Sequence, residues 1–175
     1  MKFFSTTLLA ALCLTTDALT LSASEEEYAK CRFYQAREYS GPGKCPRIDA
    51  ELAVKFASDS TDVTVDFAFK RGDEDTSYTL DIVSLKTQGE IDKHSCVVKE
   101  TPTILDDDLV SGTTDSRGKL SKQTGTTTSF THEDVKDDHI YAMLSDDHDV
   151  VACCRLQDTY SKSSYDSIIR KINRV

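Results

Sequence analysis

Glycine and proline are scarce in this chain, with 7 and 3 residues among 175, so the sequence is neither collagen-like nor a low-complexity linker. Asparagine occurs once, at Asn173, and the Arg-Val that follows does not complete an N-glycosylation sequon. Beyond the first segment, no apolar run approaches the roughly 20 residues of a transmembrane helix. These absences predict a globular chain without membrane insertion.

The first segment is the one long apolar stretch. Lys2 supplies a positive charge, an apolar run covers residues 3–14, and small residues suited to cleavage lie near 16–18 and 21–23. This pattern is typical of a secretory signal peptide, and we assign it to residues 1–18. We therefore expect a secreted, extracellular protein.

The chain is acidic, with a formal net charge of −9. This excess argues against nucleic acid and anionic membranes as partners, and it favours a basic protein partner over an acidic one. The length suits one domain, and 38% hydrophobic residues are enough for a modest core.

Alternating apolar and polar residues predict a mainly β protein. Residues 63–69, VTVDFAF, and residues 76–85 both alternate, and the polar turn between them predicts a hairpin. Further strands are predicted at 51–57, 95–99, 108–112, 118–122, 126–130, 139–144 and 149–156. Short strands about ten residues apart predict an antiparallel β-sandwich or barrel with Greek-key character.

Helices are predicted at the two ends of the chain only. Ser24 and Glu27 have the spacing of a capping box, which predicts a helix over 25–38. An apolar stripe predicts a second helix in the tail, formed by Tyr165, Ile168, Ile169 and Ile172. The predicted organisation is a signal peptide at 1–18, an N-terminal segment at 19–48, a β-sandwich domain at 49–157 and a helical tail at 158–175.

Six cysteines are present, and Cys13 leaves with the signal peptide, so five remain. An odd number predicts two disulfides and one unpaired thiol. Spacing alone leaves the pairing open, but alternation along 149–156 puts Cys154 on the apolar core face, with Val150, and Cys153 on the opposite face, with Val151. This predicts a free, buried Cys154 and a Cys96–Cys153 bridge to a covering loop. The remaining bridge, Cys31–Cys45, would close a small N-terminal loop.

Several of these residues together resemble the copper/zinc superoxide dismutase family. A hairpin is followed by a loop cysteine, Cys96, and by a closing strand with Val-Ala-Cys at Cys153, and the family bridges the corresponding cysteines. Residues 111–121, SGTTDSRGKLS, are similar to a glycine-containing stretch of the family through Gly112, Asp115 and Gly118. The resemblance covers about residues 50–157 and implies a β-sandwich.

The metal ligands of that family are missing at the matching positions. Where the family has a His-x-His pair before the loop cysteine, this chain has EIDKHSC, with His94 alone. We therefore expect neither a metal cofactor nor catalysis. The alternative is a superoxide dismutase-type enzyme with an altered copper or zinc site, built from His94, His132, His139 and His148.

Two exposed features point to recognition. Arg71, Gly72 and Asp73 lie in the predicted hairpin turn and match the adhesive Arg-Gly-Asp tripeptide, although an ordinary charged turn has the same composition. Acidic clusters at 106–108, 133–138 and 146–149 lack an EF-hand pattern and are interpreted as a solvated rim. The predicted function is a secreted, disulfide-stabilised, non-catalytic protein that binds an extracellular protein, as secreted microbial effectors do. Arg-Gly-Asp adhesion is a further alternative.

Overall fold

Two five-stranded antiparallel sheets pack face to face in the computed structural model, which describes residues 26–36, 39, 41, 45–58, 60–85, 91–92, 96–99, 101–137, 139–159 and 161–175. The predicted mainly β sandwich is therefore confirmed. The strands are β1 (Glu27–Lys30), β2 (Tyr34–Gln35), β3 (Asp49–Phe56), β4 (Val63–Lys70), β5 (Ser77–Leu85), β6 (Ile91–Asp92), β7 (Val97–Val98), β8 (Thr103–Thr113), β9 (Leu120–Thr127), β10 (His139–Ser145), β11 (Val150–Arg155) and β12 (Gln157–Thr159). The helices are α1 (His132–Asp137) and α2 (Lys162–Ile172).

Sheet 1 has the strand order β12–β1–β3–β4–β9, and sheet 2 has the order β2–β11–β10–β5–β8. Strands β6 and β7 pair with each other. The predicted hairpin of β4 with β5 is wrong, because β4 belongs to sheet 1 and β5 to sheet 2. A polar turn after an apolar strand has the same sequence signature whether the chain folds back beside that strand or crosses to the facing sheet.

The core lies between the two sheets and fixes the strand ends relative to one another. Its largest fully buried side chains include Leu52, Phe67, Phe69, Tyr78, Leu80, Ile82, Ile140 and Leu144. Burial of each such aliphatic or aromatic side chain contributes about 1.5–3 kcal/mol. Loops that join these strands are therefore carried on a rigid frame.

Helix α2 covers the outer face of sheet 1. Ile172 is buried against Ala53 and Ala68, and the ring of Tyr165 lies 4.5 Å from that of Tyr28, centroid to centroid. The apolar stripe that predicted the tail helix therefore packs on the domain itself.

The helix predicted over 25–38 is wrong for the described residues 26–36. Strand β1 pairs with β3 on one side and β12 on the other, with Tyr28 and Ala29 buried. Glu27, the expected capping residue, instead has a carboxylate oxygen 2.7 Å from the ring of His132. Two sheet ladders outweigh a local capping signal, because tertiary packing supplies most of the stability of a short element.

One predicted disulfide is present and the other is replaced. Cys96 is bonded to Cys153, which ties the β6–β7 segment to the outer face of sheet 2. Cys31 is bonded to Cys154, and Cys45 is the free thiol, so the predicted Cys31–Cys45 bridge and free Cys154 are wrong. Cys154 does lie in the main core. The chain crosses from sheet 1 to sheet 2 between β1 and β2, and this crossing brings Cys31 to it.

Strand β11 contains a bulge that simple alternation does not reveal. Ser145 pairs with Val150 and Leu144 with Ala152, so Val151 is the extra residue. Val150 packs with the outer cluster and Val151 with the main core, the reverse of the predicted faces of these two residues. From Ala152 onward the predicted faces are found.

Candidate recognition surface

Three connections lie at one end of the sandwich: residues 71–76 between β4 and β5, 114–119 between β8 and β9, and 146–149 between β10 and β11. Strand pairing brings them together, since Ser77 at the start of β5 is opposite Thr113 at the end of β8, and β10 ends beside the same part of β5. We call these three connections the acidic end. Its carboxylates are Asp73, Glu74, Asp75, Asp115, Asp146, Asp147 and Asp149, against Arg71, Arg117 and Lys119.

Hydrogen bonds hold the first two connections against each other. Gly72 N–H donates to Gly118 O over 2.9 Å, and Thr114 N–H donates to Thr76 O over 3.0 Å. The buried Thr114 hydroxyl donates to Asp73 O over 2.5 Å and accepts the Thr76 N–H over 3.1 Å. A satisfied buried network rigidifies its surroundings, so this part of the acidic end is fixed before any partner arrives.

Asp115 stabilises the turn in the second connection, residues 114–119, through contacts with residues of the same connection. Its carboxylate accepts the backbone N–H groups of Arg117 over 2.8 Å and Lys119 over 3.0 Å, and it pairs with the Arg117 guanidinium at 3.2 Å. The N–H of Lys119, followed by that of Arg117, holds the pKa of Asp115 below its usual value. The side chain of Asp115 is therefore negatively charged at neutral pH.

The Arg-Gly-Asp tripeptide lies in the first connection, with Arg71 and Asp73 exposed. Arg71 has a φ of 66°, in the left-handed region, where the chain turns from sheet 1 towards sheet 2. Gly72 has no room for a side chain, since a Cβ there would lie 2.6 Å from the ring of Phe69. Asp73 N–H donates to Tyr78 Oη over 2.9 Å. The tripeptide is accessible, but it belongs to a packed crossing and not to the tip of a hairpin.

Asp146 organises the third connection. Its carboxylate accepts the backbone N–H groups of His148 and Asp149 over 2.8 and 2.9 Å, and it also accepts the Tyr39 hydroxyl. Burial, followed by the hydrogen bond to Asp146, raises the pKa of Tyr39. Tyr39 therefore stays a neutral donor and ties the segment before β3 to the acidic end.

The free thiol lies close to this end but is not activated. Burial raises the pKa of Cys45, the hydrogen bond from Gln35 lowers it, and the nearby Asp146 and Asp73 carboxylates raise it further. The thiol donates weakly to Val151 O over 3.5 Å. Since the thiolate is the nucleophile, a thiol that keeps its proton is poorly suited to covalent catalysis.

We expect the stability of the protein to fall above pH 10 because of Tyr78. Burial raises the pKa of Tyr78 to about 12, whereas the value in an unfolded chain is about 10. The folded tyrosine keeps its proton where the unfolded one loses it. Its stabilisation is thus complete below pH 10 and is lost as the pH rises towards 12. Urea unfolding at pH 9, 10 and 11 should show a decline from this residue of up to about 1.4 kcal/mol per pH unit.

The matched protein for this measurement is Tyr78→Phe. Both proteins carry Cys45→Ala, so that no thiolate attacks the disulfides at high pH. The phenylalanine variant should show the flatter decline between pH 10 and 11. Equal slopes in the two proteins would contradict the role of Tyr78.

The described candidate histidines are not brought together. His139 begins β10 and His148 follows its end, so a seven-residue strand separates their backbones by roughly 20 Å. His132 begins α1, where it contacts two carboxylates. His94 lies outside the described residues. The altered copper or zinc site is therefore not assembled by His132, His139 and His148.

Within the described ranges, one group of three possible metal ligands has its atoms within 4.8 Å of one another: Asp81, Asp107 and Asp108. Asp81 accepts the Asp108 N–H over 2.9 Å, and burial is the main cause of its raised pKa. Asp107 and Asp108 belong to β8, the edge strand of sheet 2, which pairs with β5 through two register shifts. Charges and bulges on an edge strand disfavour pairing with another chain. We interpret these three carboxylates as a feature that keeps the edge strand β8 from pairing with another chain.

Comparison with protein-family models, with curated proteins and with solved structures gives no match. The resemblance to copper/zinc superoxide dismutase therefore stays a prediction. In the described part of the chain, none of the helices is long and apolar enough to cross a membrane.

Proposed function

We propose that this protein is exported and acts, without catalysis, by binding an extracellular protein through the acidic end. The observation that carries the proposal is the fixed geometry of that end, where hydrogen bonds from Gly72 to Gly118 and from Thr114 to Asp73 and Thr76 hold the connections 71–76 and 114–119 together. Loops held on a rigid frame are the usual carriers of recognition. A surface that is ordered in advance also loses little conformational entropy when a partner binds.

The disulfides support export. The Cys31–Cys154 bond joins the crossing segment to sheet 2, and the Cys96–Cys153 bond holds the β6–β7 segment on the outer face of that sheet. Such bonds persist in oxidising compartments. The secretory pattern at residues 1–18, which lies outside the described residues, supports the same location.

The charge of the acidic end indicates the chemistry of the partner. Exposed carboxylates of Asp73, Glu74 and Asp75 lie beside the anionic Asp115 and the exposed Asp147. A surface of one sign attracts a surface of the opposite sign and accelerates their encounter. The partner is therefore a protein with lysine and arginine on its contact surface.

A selection from random peptides tests this function and does not require the partner to be identified first. The secreted protein is used to select binders from a yeast-displayed library of such peptides. Enriched peptides should be rich in lysine and arginine. Changing Asp73, Glu74 and Asp75 together to Asn, Gln and Asn should weaken their binding at least tenfold, and raised salt should weaken it further.

The charge-matched control is a variant with Asp106, Asp107 and Asp108 all changed to Asn, which removes three negative charges from the β8 edge. This variant should bind the selected peptides as the unmodified protein does. If both triple variants lose binding equally, net charge and not the acidic end is responsible, and the proposal is wrong.

Adhesion through the Arg-Gly-Asp tripeptide is a second candidate, favoured by the exposure of Arg71 and Asp73. The variant Asp73→Glu separates the two candidates, because it keeps the charge and lengthens the side chain by one methylene group. Binding of basic peptides should survive this change, whereas adhesion by the tripeptide should fall to the level of an uncoated surface. Equal cell attachment to the unmodified protein and to Asp73→Glu would show that the tripeptide does not mediate adhesion.

A further inference from the structure

Strand β1 runs beside only part of its neighbour β3. The ladder between the two strands stops where Lys30 lies opposite Ala53, whereas β3 pairs with β4 from its first residue, Asp49. After Lys30 the chain crosses to sheet 2. Within the part of the chain that the structure describes, residues 49–51 of β3 therefore have a neighbouring strand on one side only.

The interrupted ladder leaves backbone hydrogen-bonding groups of β3 open. In an antiparallel sheet, successive residues of a strand direct their N–H and C=O groups alternately to its two sides, so at least one of residues 49–51 directs both groups away from β4. Outside the strand ladders, no backbone hydrogen bond between described residues reaches 49–51. Unpaired groups at a strand edge are a template for a further strand.

A groove of about 610 Å³ lies along the open side of β3. Its walls are the departing segment 30–33 and helix α2, and residues 48–51 lie between these walls. Ala50 and Glu51 are half-buried. The open edge therefore lies inside a groove, where a single extended segment fits. A second folded copy would have to bring a whole sheet and its loops into the same space, so the groove favours a separate segment of chain.

The groove has an apolar side and a charged side. Phe33, Ile48 and Ala50 pack against the main core and form the apolar side. Lys30 comes two residues after Tyr28, whose ring contacts helix α2, so alternation along the strand puts both side chains on the outer face of sheet 1. A strand added beside β3 would therefore have one row of side chains against the core and the other row near Lys30.

The cations that line the groove outnumber its carboxylates, although the chain as a whole has a net charge of −9. Lys171 is 2.7 Å from Glu51, which satisfies both charges. Lys30 and Arg32 form no ion pair with any described residue, and Asp49 is the one carboxylate of the lining without a cation. Two unpaired cations against one carboxylate favour an acidic segment over a basic one.

We propose that an extended segment of a partner protein binds in this groove as an additional strand beside β3, and that apolar and acidic side chains alternate along the segment. Its backbone pairs with the open groups of residues 49–51, as in other cases of strand addition. Its apolar side chains contact Phe33 and Ile48, and its carboxylates pair with Lys30 and Arg32. The groove shares no lining residue with the acidic end and selects the opposite charge, so this site is independent of the function proposed above.

The experiment titrates the full secreted protein, labelled with nitrogen-15, with the peptide acetyl-Val-Glu-Val-Glu-Val-amide. Saturable binding should shift the amide resonances of residues 49–51 and slow the solvent exchange of the groove-facing amide by about tenfold. The same peptide with lysine in place of glutamate should bind about tenfold more weakly. Two further peptides have methyl groups on the backbone nitrogens of either the valines or the glutamates. One of them should lose binding and the other should keep it, because a strand directs alternate N–H groups to one neighbour.

The variant Arg32→Gln should raise the dissociation constant of the glutamate peptide by about threefold, as for loss of an exposed ion pair. Arg117→Gln removes the same charge from another exposed arginine, outside the groove, and should bind as the unmodified protein does. The peptide titrations need no variant, so they decide the matter even if Arg32→Gln fails to fold.

Three results would overturn the proposal. The first is absence of saturable binding, or equal binding of the glutamate and lysine peptides. The second is full binding by both methylated peptides, which would mean that no backbone pairing takes place. The third is protection of the amides of residues 49–51 that rises with protein concentration in the absence of peptide, since a second copy of the chain would then occupy the groove.

Discussion

Removal of the Cys31–Cys154 disulfide should lower the free energy of unfolding by about 4 kcal/mol. The two cysteines are 123 residues apart, but the remaining Cys96–Cys153 bond lies within that span and shortens the loop to roughly 65 residues, and a crosslink stabilises by restricting the unfolded chain, more so for a longer loop. The double variant Cys31→Ala, Cys154→Ala leaves the Cys96–Cys153 bond in place. Urea denaturation of this variant and of the unmodified protein measures the difference.

Cys45→Ala is the matched control, because Cys45 is the free thiol. It should change the free energy of unfolding by less than about 1 kcal/mol, because Cys45 is only half-buried and takes part in no disulfide. A loss from Cys45→Ala as large as the loss from the double variant would show that the bridge joins Cys31 to Cys45, because each of the two changes would then remove it. Peptide mapping of the unreduced protein would give the same answer directly.

Gly118→Ala should destabilise the protein by about 3 kcal/mol and abolish peptide binding at the acidic end. Gly118 has a φ of 65°, and an added Cβ would lie 2.0 Å from Gly72 O. Because the obstructing atom is backbone, it cannot rotate away as a side chain does. The two connections must move apart, which breaks the hydrogen bond from Gly72 N–H to Gly118 O.

The control for this change is Ser116→Ala, in the same connection but exposed. It should stay within about 0.5 kcal/mol of the unmodified protein and bind the selected peptides normally. Stability comes from thermal or urea unfolding, and binding from the displayed peptides at a temperature where both variants are folded. A folded Gly118→Ala protein with full binding would show that the fixed geometry of the acidic end is unimportant.

The alternation of apolar and polar residues in this sequence is enough to predict most of the fold class. Alternation in residues 63–69 and 76–85 locates β4 and β5, and the stripe that ends at Ile172 locates α2, because each depends on a local period that a buried face imposes. The same local information does not say which sheet a strand joins. The polar turn at Gly72 therefore predicts a hairpin, and the local pattern at β1 predicts a helix, although β4 and β5 belong to different sheets and β1 pairs with β3 and β12.

Only some residues of the candidate surfaces can be predicted from the sequence. Arg71 and Asp73 stand out because they form a motif within one turn. Thr114 and Asp146 do not stand out, since their roles depend on contacts with residues far away in the sequence, such as Tyr39. Likewise, His132 was identifiable as a titratable residue, but its carboxylate neighbours come from β1 and β12. No spacing rule joins those strands.

The position of β1 between β3 and β12 has a consequence for how the protein is made. Among the described strands β1 is synthesised first and β12 last, so sheet 1 cannot be completed until residues 157–159 have been synthesised. During that time Cys31 meets the nearby Cys45 long before Cys154 emerges. Any early bond between Cys31 and Cys45 must then be exchanged, with Cys45 as the released thiol. A chain that forms this early bond therefore needs disulfide isomerisation, and not oxidation alone, to reach the observed pairing.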